Sequence, residues 1–274
     1  MLKQRVFTAL VLTGSFLLVL FFLPWYIFAC FVSVIFCVAA WEWARLSGIN
    51  SQIGRIVYAF LLLSLSAGGY WWSDWGSDTA FVQSILIVAC CWWAFSFFWI
   101  QGYPSSSVIW GGMIPRALMG VLVIVPAWIA STYIYSRDNG HWLILFIVFL
   151  VASADIGAYF TGRAFGVRKL APDVSPGKSW EGVWGGLVAA VLLATLFNFI
   201  FQAGYWLPLL AIAIPTSLVS VIGDLLESMV KRHAGVKDSS QLLPGHGGVL
   251  DRIDGLVAAV PVFTLAYIST PWHL

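Results

Sequence analysis

Residues 223–254 read GDLLESMVKRHAGVKDSSQLLPGHGGVLDRID, and this stretch decides how the rest of the chain is interpreted. Only 9% of the whole chain is charged, yet acids and bases are crowded together here. The stretch begins at the end of one apolar run and finishes at the start of another, with a polar, glycine-rich loop between them. Charges at the edge of a hydrocarbon layer are unfavourable, so such a cluster indicates a functional site.

The spacing of the charged residues predicts two helix ends that face each other. Asp224, Glu227 and Lys231 recur at intervals of three and four, which places them on one face of a helix. Asp251 and Asp254 lie three residues apart at the start of the next apolar run. Carboxylates among cations suit Mg²⁺ carrying the phosphates of a nucleotide. The glycine-rich helix start adds free N–H groups, which favour phosphate.

The composition predicts an all-α polytopic membrane protein. Hydrophobic residues make up 61% of the chain, and the mean hydropathy is +0.91. A soluble domain of this size needs more charged residues for its exterior. The net charge of +2 is explained by membrane topology, so the sequence does not support nucleic acid as a partner.

Nine apolar segments have the length of a membrane-spanning helix, about 20 residues. They are predicted at about 5–22, 25–46, 53–71, 80–100, 115–135, 141–163, 180–202, 206–231 and 249–270. If the N-terminus is cytoplasmic, every one of the 14 Lys and Arg residues except Arg137 falls on the cytoplasmic side. This asymmetry predicts a cytoplasmic N-terminus and an outside (periplasmic) C-terminus. Residues 223–254 then lie on the cytoplasmic side of the membrane. The predicted location is a bacterial-type inner membrane.

The polar residues divide the chain into two parts of a single membrane unit. Residues 1–140 form a predicted hydrophobic transmembrane scaffold, with a surface for lipid or for a homodimer partner. Residues 141–274 form the predicted catalytic transmembrane region, because they contain both polar constellations.

The second constellation lies on the sixth predicted helix and in the loop that follows it. Asp155, Tyr159 and Arg163 recur every four residues and form a polar stripe on an apolar helix. Such an Asp faces a bundle interior or a wet cavity, either in an active site or in a helix-packing hydrogen bond. Residues 175–182, SPGKSWEG, follow as a turn that lacks P-loop spacing. Ser179 there either binds substrate or caps the next helix.

Both constellations resemble those of the phosphatidate cytidylyltransferases, also called CDP-diacylglycerol synthases. The signature matches at Ser228, Lys231, Arg232, Lys237, Asp238, Pro244, His246, Gly247, Gly248, Asp251, Arg252 and Asp254. The Asp–Gly–Tyr helix and the SPGKSWEG loop resemble the region upstream of that signature. The resemblance covers residues from about 150 to 255. It implies transfer of CMP from CTP to phosphatidate, giving CDP-diacylglycerol and pyrophosphate.

The signature and its chemistry predict a role for each site residue. Asp224 and Asp251 are expected to bind Mg²⁺, alone or with a second cation, because they lie at facing helix ends. The predicted catalytic residues are Asp224, Asp251, Lys231 and Arg252. The residues expected to bind CTP or the lipid phosphate are Lys178, Ser179, Ser228, Arg232, Lys237, His246, Gly247, Gly248 and Asp155. Glu227 and Asp254 are interpreted as supporting or capping residues.

Two other functions compete with this interpretation. A transporter would use Asp155 and Asp224 as ion or proton sites, but the polar residues are confined to the second half of the chain. A CDP-alcohol phosphotransferase would need the motif Asp-Gly-x2-Ala-Arg, whereas Asp254-Gly255 here continues as Leu-Val-Ala-Ala. CTP-dependent incorporation by the purified protein distinguishes the three functions.

Overall fold

The computed structural model describes residues 2–201 and 204–272, with side chains from residue 6 onward. Its long helices are α1 (Leu2–Phe22), α2 (Trp25–Leu46), α3 (Gln52–Trp72), α4 (Thr79–Gln101), α6 (Met113–Tyr135), α7 (Gly140–Phe165), α8 (Trp180–Phe201), α9 (Trp206–His233) and α10 (Leu250–Ser269). A single turn, α5 (Ser107–Trp110), precedes α6.

The helices confirm an all-α polytopic membrane protein. Within the described residues, eight helices are long and apolar enough to cross a membrane, and the apolar part of α1, Val6–Phe22, is shorter. The bounds of the eight helices agree with the predicted spans to within two residues, and α1 begins three residues before its predicted start. The predicted end of the seventh span, at residue 202, lies outside the described residues.

A small antiparallel hairpin replaces the simple turn predicted before α8. Strand β1 (Lys169–Ala171) pairs with β2 (Ser175–Ser179). Strands of this length are too short to produce a readable alternation of apolar and polar residues, and β2 contains Pro and Gly. The hairpin matters because it carries Lys178 towards the helix bundle.

Four connections meet at one end of the bundle, here called the loop end. They are residues 47–51, 102–112, 166–179 and 234–249. The Gln101 side chain at the end of α4 donates to the carbonyl oxygen of Leu170 in the hairpin, at 3.1 Å. His233 at the end of α9 lies 3.1 Å from the carbonyl oxygen of Gly111. Arg232 Nε, just before residues 234–249 (here called the signature loop), lies 3.4 Å from the carbonyl oxygen of Val174 between the two strands, so the signature loop lies beside the hairpin.

Three further connections, residues 23–24, 73–78 and 136–139, meet at the opposite end. The Tyr135 hydroxyl at the end of α6 donates to the carbonyl oxygen of Leu20 in α1. Arg137 in the next loop donates to the carbonyl oxygen of Gly76, between α3 and α4. Successive long helices therefore run in alternating directions, as a multi-pass bundle requires.

Small residues bring α7 and α8 into close contact. A Cβ at Gly186 would lie 2.6 Å from the carbonyl oxygen of Ala154, and a Cβ at Gly157 would lie 2.7 Å from Ala189 Cβ. Glycine and alanine at a helix interface allow two backbones to approach in a membrane. This packing places Asp155 of α7 near the hairpin that precedes α8.

Candidate active site

The signature acids come together because α9 and α10 touch at a glycine. A Cβ at Gly223 would lie 2.9 Å from Ala258 Cβ and would overlap the carbonyl oxygen of Asp254. No other residue type permits this approach without a shift of one helix. The contact brings Asp224 and Glu227 of α9 into electrostatic range of Asp254. The prediction of two facing helix ends is thus confirmed.

Glu227, Lys231 and Asp251 form a buried group, here called the closed cluster. Lys231 Nζ lies 2.6 Å from Asp251 Oδ1 and 3.0 Å from Glu227 Oε2. Their side chains are 10%, 4% and 2% exposed for Lys231, Asp251 and Glu227. Asp251 also accepts hydrogen bonds from the backbone N–H and hydroxyl of Ser239 and from the N–H of Gly248. Both oxygens of Asp251 are therefore already bound by the protein.

Lys178 and Asp224 form a second ion pair, here called the open pair. Lys178 Nζ lies 2.6 Å from Asp224 Oδ2, and the two side chains are 25% and 34% exposed. The Ser228 hydroxyl donates to Asp224 Oδ1 at 3.1 Å. A ligand can reach this pair without opening the bundle.

The open pair lies on the wall of a cavity of about 450 Å³ between α7, α8 and α9, here called the helix cavity. Asp155, Tyr159 and Arg163 also line it, so the predicted polar stripe faces one space. Val183 and Val221 add apolar surface to its wall, and residues of the hairpin strand β2 complete it. The structure thus places Asp155 and Asp224 on one cavity, although they are far apart in sequence.

A second cavity, of about 650 Å³, lies within the signature loop and is here called the loop cavity. It is lined by Lys237, Asp238, Gln241, Leu243, Pro244, Gly245, His246, Gly247 and Arg252. Gly247 has a φ of +84°, and a Cβ there would lie 2.8 Å from Asp251 Oδ2. The closed cluster therefore borders the loop cavity.

Three predicted substrate-binding residues have structural partners. The buried Ser179 hydroxyl accepts from the N–H of Gly182 at 3.1 Å and so caps α8, although it also borders the helix cavity. Ser228 supports Asp224, as described above. Arg232 lines neither cavity, and its Nε lies 3.4 Å from the carbonyl oxygen of Val174.

The acids suit a divalent cation that arrives with other ligands. The structure brings together the acids Asp155, Asp224, Glu227, Asp251 and Asp254 around two lysines, Lys178 and Lys231. Glu227 Oε1 is buried and accepts no hydrogen bond from an N–H or hydroxyl group among the described residues, and the Glu227 side chain lies within hydrogen-bond range of the Asp254 carboxyl group. Among the described residues, no group of three His, Cys, Asp or Glu side chains is arranged to hold a metal ion without further ligands. Mg²⁺ commonly takes one or two carboxylates and completes its shell with phosphate oxygens and water.

Glu42 is a buried acid of the site region that the sequence interpretation missed. It lies on α2, is 0% exposed, and accepts hydrogen bonds from Ser239, Ser240 and Val249 of the signature loop and from Leu250 at the start of α10. An acid inside a predicted span is the same signal that singled out the acid on α7. A search for acids in every predicted span would therefore have identified Glu42.

The fold and the site define a polytopic membrane protein with an acid-rich centre between two polar cavities. The model of the cytidylyltransferase family matches residues 3–270. The phosphatidate cytidylyltransferase of Pseudomonas aeruginosa is 45% identical over 274 residues, covering 99% of each chain. That of Haemophilus influenzae is 40% identical over 97% of this chain and 99% of its own. That of Bacillus subtilis is 45% identical over 47% of this chain and 49% of its own.

This chain belongs to the cytidylyltransferase family. It is therefore an enzyme of the nucleotidyltransferase class, and the resemblance found in the signature is confirmed.

Proposed function

We propose that this protein transfers CMP from CTP to phosphatidate, giving CDP-diacylglycerol and pyrophosphate. An oxygen of the lipid phosphate attacks the α-phosphorus of CTP, and the bond from that phosphorus to the bridging oxygen of the β-phosphate breaks. A phosphate monoester is largely ionised at neutral pH, so the attacking oxygen needs no strong general base. Catalysis then depends on placing two anions together and on stabilising the charge of the leaving pyrophosphate.

One observation carries the proposal: the acid centre has a cavity on each side, and each cavity has its own cations. Lys178 and Arg163 line the helix cavity. Lys237, His246 and Arg252 line the loop cavity. Such an arrangement would let two anionic substrates approach one phosphorus atom from opposite sides.

The helix cavity suits the lipid phosphate. It lies among membrane-spanning helices and combines cations with apolar side chains such as Val183 and Val221. A phosphate attached to two acyl chains stays close to the bilayer, where this cavity is located. Lys178 and Arg163 would then bind the phosphate of phosphatidate.

The loop cavity suits the triphosphate of CTP. It is built from the connection between α9 and α10, outside the spanning helices. Lys237 and Arg252 are exposed there, and exposed cations attract a soluble polyanion. Lys231 is occupied by two carboxylates, so we assign it to holding Asp251 in place.

Asp224 is the carboxylate we propose for Mg²⁺, with Glu227 and Asp254 beside it. Asp224 is partly exposed, and Glu227 Oε1 accepts no hydrogen bond from an N–H or hydroxyl group among the described residues. Mg²⁺ bound with the triphosphate supplies positive charge that offsets the charge on the departing pyrophosphate. Asp251, whose oxygens are occupied, we assign to positioning.

Purified protein in nanodiscs tests the reaction directly. CTP labelled at its α-phosphate, with phosphatidate and Mg²⁺, should give labelled lipid and an equal amount of pyrophosphate. CTP labelled at its γ-phosphate should leave the lipid unlabelled. Asp224→Asn is the matched control, because it keeps the size of the side chain and removes its charge.

Two outcomes contradict the proposal. Failure of the α-label to enter lipid would exclude cytidylyl transfer to phosphatidate. Turnover of CDP-diacylglycerol with an alcohol, in the absence of CTP, would indicate a phosphotransferase instead.

We also propose that the loop end faces the cytoplasm of a bacterial inner membrane. Support comes from the Lys and Arg residues, all of which lie on that side except Arg137. In a cysteine-free variant, Asn139→Cys should react with an impermeant reagent added outside intact cells, and Gln241→Cys should not. Gln241 is exposed, whereas the neighbouring Ser240 is buried and unsuitable for labelling. External labelling of Gln241→Cys would reverse the orientation.

A further inference from the structure

Among the described residues, Glu42 is the one buried acid near the site that the reaction described above leaves without a role. It lies on α2 in the N-terminal half of the chain, and its side chain is 0% exposed. No Lys or Arg forms an ion pair with it among the described residues. A buried carboxylate without a cation needs strong hydrogen-bond donors around it.

Four hydrogen-bond donors surround the Glu42 carboxylate, two at each oxygen, and one of them, the Ser239 hydroxyl, shares its single proton with Asp251. Oε1 accepts from the N–H of Val249 at 3.0 Å and from the Ser240 hydroxyl at 2.5 Å. Oε2 accepts from the N–H of Leu250 at 2.7 Å and from the Ser239 hydroxyl at 3.2 Å. The two N–H groups lie at the start of α10, where a helix has no internal acceptors for them. A negative charge is also favoured at that position.

Gly248 shows how closely Glu42 fits the signature loop. A Cβ at this position would lie 2.5 Å from Glu42 Oε1 and would overlap the Ser239 hydroxyl oxygen. The second glycine of the signature pair is therefore required by contact with α2, as well as by any contact with substrate. This observation is independent of the hydrogen bonds themselves.

The same loop residues connect Glu42 to Asp251. The Ser239 hydroxyl lies 3.0 Å from Asp251 Oδ2 and 3.2 Å from Glu42 Oε2. The N–H of Gly248 donates to Asp251 Oδ2 at 2.7 Å, and Lys231 completes the shell of that aspartate. We propose that Glu42 is a positioning residue, which fixes the signature loop and the first turn of α10 so that Asp251 and Lys231 keep their places. Its effect on turnover rests on the proposed function.

Glu42→Gln is a sharp test because no orientation of the amide can satisfy the site. Each carboxylate oxygen accepts one backbone N–H. Whichever oxygen becomes NH₂, it points a donor at a backbone donor that cannot rotate. Hydroxyl groups could adapt by turning, but the amides of Val249 and Leu250 cannot.

We expect Glu42→Gln to lower kcat about tenfold, while KM for CTP and for phosphatidate changes by less than about threefold. The losses of kcat in Glu42→Gln and Asp251→Asn should not be additive, because both substitutions disturb the same set of contacts in the signature loop. The double variant should therefore fall little below Asp251→Asn alone. Multiplying effects, or unchanged kcat in Glu42→Gln, would contradict the proposal.

The two serines provide a second test that does not require Glu42→Gln to fold. Both donate to Glu42, but only Ser239 also contacts Asp251. A positioning role predicts that Ser239→Ala lowers kcat more than Ser240→Ala does. A purely structural brace predicts equal losses, or a larger loss for Ser240→Ala because its contact is the shorter one.

A readout without turnover separates this inference from the proposed function. Amide hydrogen exchange in residues 239–250 should accelerate in Glu42→Gln, whether or not the wild-type protein uses CTP and phosphatidate. The matched control is Asp78→Asn, since Asp78 caps α4 at the opposite end and accepts a single backbone N–H, from Phe81. Unchanged exchange in Glu42→Gln would contradict the positioning role. Wild-type protein that fails to turn over would contradict the proposed function alone.

Discussion

The open pair and the closed cluster contain the same kinds of side chain in opposite circumstances. Lys178 and Asp224 are 25% and 34% exposed, and they lie on the wall of a cavity. Lys231 and Asp251 are 10% and 4% exposed, and protein donors surround the aspartate. Ion pairs of similar length, 2.6 Å in both cases, therefore differ in whether a ligand can compete for the carboxylate.

This difference teaches that the two signature aspartates are not equivalent. An aspartate with one lysine and one serine can exchange the lysine for a metal ion at little cost in solvation. An aspartate whose oxygens are all bound must first lose those contacts, and breaking a buried ion pair is strongly unfavourable. Asp224 therefore suits direct participation in the reaction, and Asp251 suits support of the loop.

Asp224→Asn should have the largest effect on activity. The substitution keeps the side chain's size and its contact with Ser228 while removing the charge proposed to hold Mg²⁺. We expect kcat to fall at least about a hundredfold, or about 2.7 kcal/mol of transition-state stabilisation. Membrane insertion and the melting temperature should stay close to wild type, because the pair is partly exposed.

Magnesium titration checks the cause of that loss. The Mg²⁺ concentration for half-maximal rate should rise in Asp224→Asn and stay near wild type in Ser228→Ala, which keeps the charge. Near-normal rates in Asp224→Asn at low Mg²⁺ would rule out a metal role for this residue.

Asp251→Asn should reduce both activity and stability. Lys231 would keep only Glu227 as a partner, and we expect a loss of about 3 kcal/mol in the free energy of unfolding, at the lower end for a broken buried pair. The rate should fall about thirtyfold, less than in Asp224→Asn. The measurements are turnover, the melting temperature in detergent and the Mg²⁺ dependence. An Mg²⁺ requirement raised as in Asp224→Asn would make Asp251 a metal ligand, as the sequence alone suggests.

The helices could be predicted because a bilayer fixes their length and polarity. Apolar runs such as 25–46 and 53–71 match α2 and α3 almost to the residue. The hairpin before α8 was missed, since strands of three and five residues carry no periodic signal. The division at residue 140 and the homodimer surface remain predictions.

The sequence predicts which residues meet at the site better than it predicts the hydrogen bonds that each of them makes. Spacing placed Asp224 and Glu227 on one helix face, but spacing does not report which oxygens other groups occupy. The bonds to Asp251 come from Ser239 and Gly248 in an irregular loop. The contacts of Glu42 span about two hundred residues of chain, beyond the reach of any local pattern.

Asp155→Asn should produce an intermediate loss of activity. It tests whether Asp155 acts together with the open pair. Asp155 shares the helix cavity with Lys178 and Asp224 and lies in their electrostatic field. We expect turnover to fall at least about tenfold, or about 1.4 kcal/mol, in stable and membrane-inserted protein.

The competing role for Asp155 is a helix-packing hydrogen bond, which an amide can replace. Nearly intact turnover in Asp155→Asn would therefore assign it to packing. Ser153→Ala is a suitable control on the same helix, because its hydroxyl donates within α7, to the carbonyl oxygen of Leu150.

Arg45→Gln should have the smallest effect. It tests whether a second residue of α2, besides Glu42, supports the signature loop and the closed cluster. Arg45 lies three residues after Glu42 but is exposed, and its Nη1 is 3.4 Å from the carbonyl oxygen of Ser239. A contact of that length is weak, and an exposed cation contributes little to stability. We expect the apparent CTP affinity to stay within about twofold of wild type, measured beside Glu42→Gln. A tenfold loss would mean that positive charge on α2 contributes to binding CTP. The loop would then depend on α2 for charge as well as for the buried carboxylate that holds it.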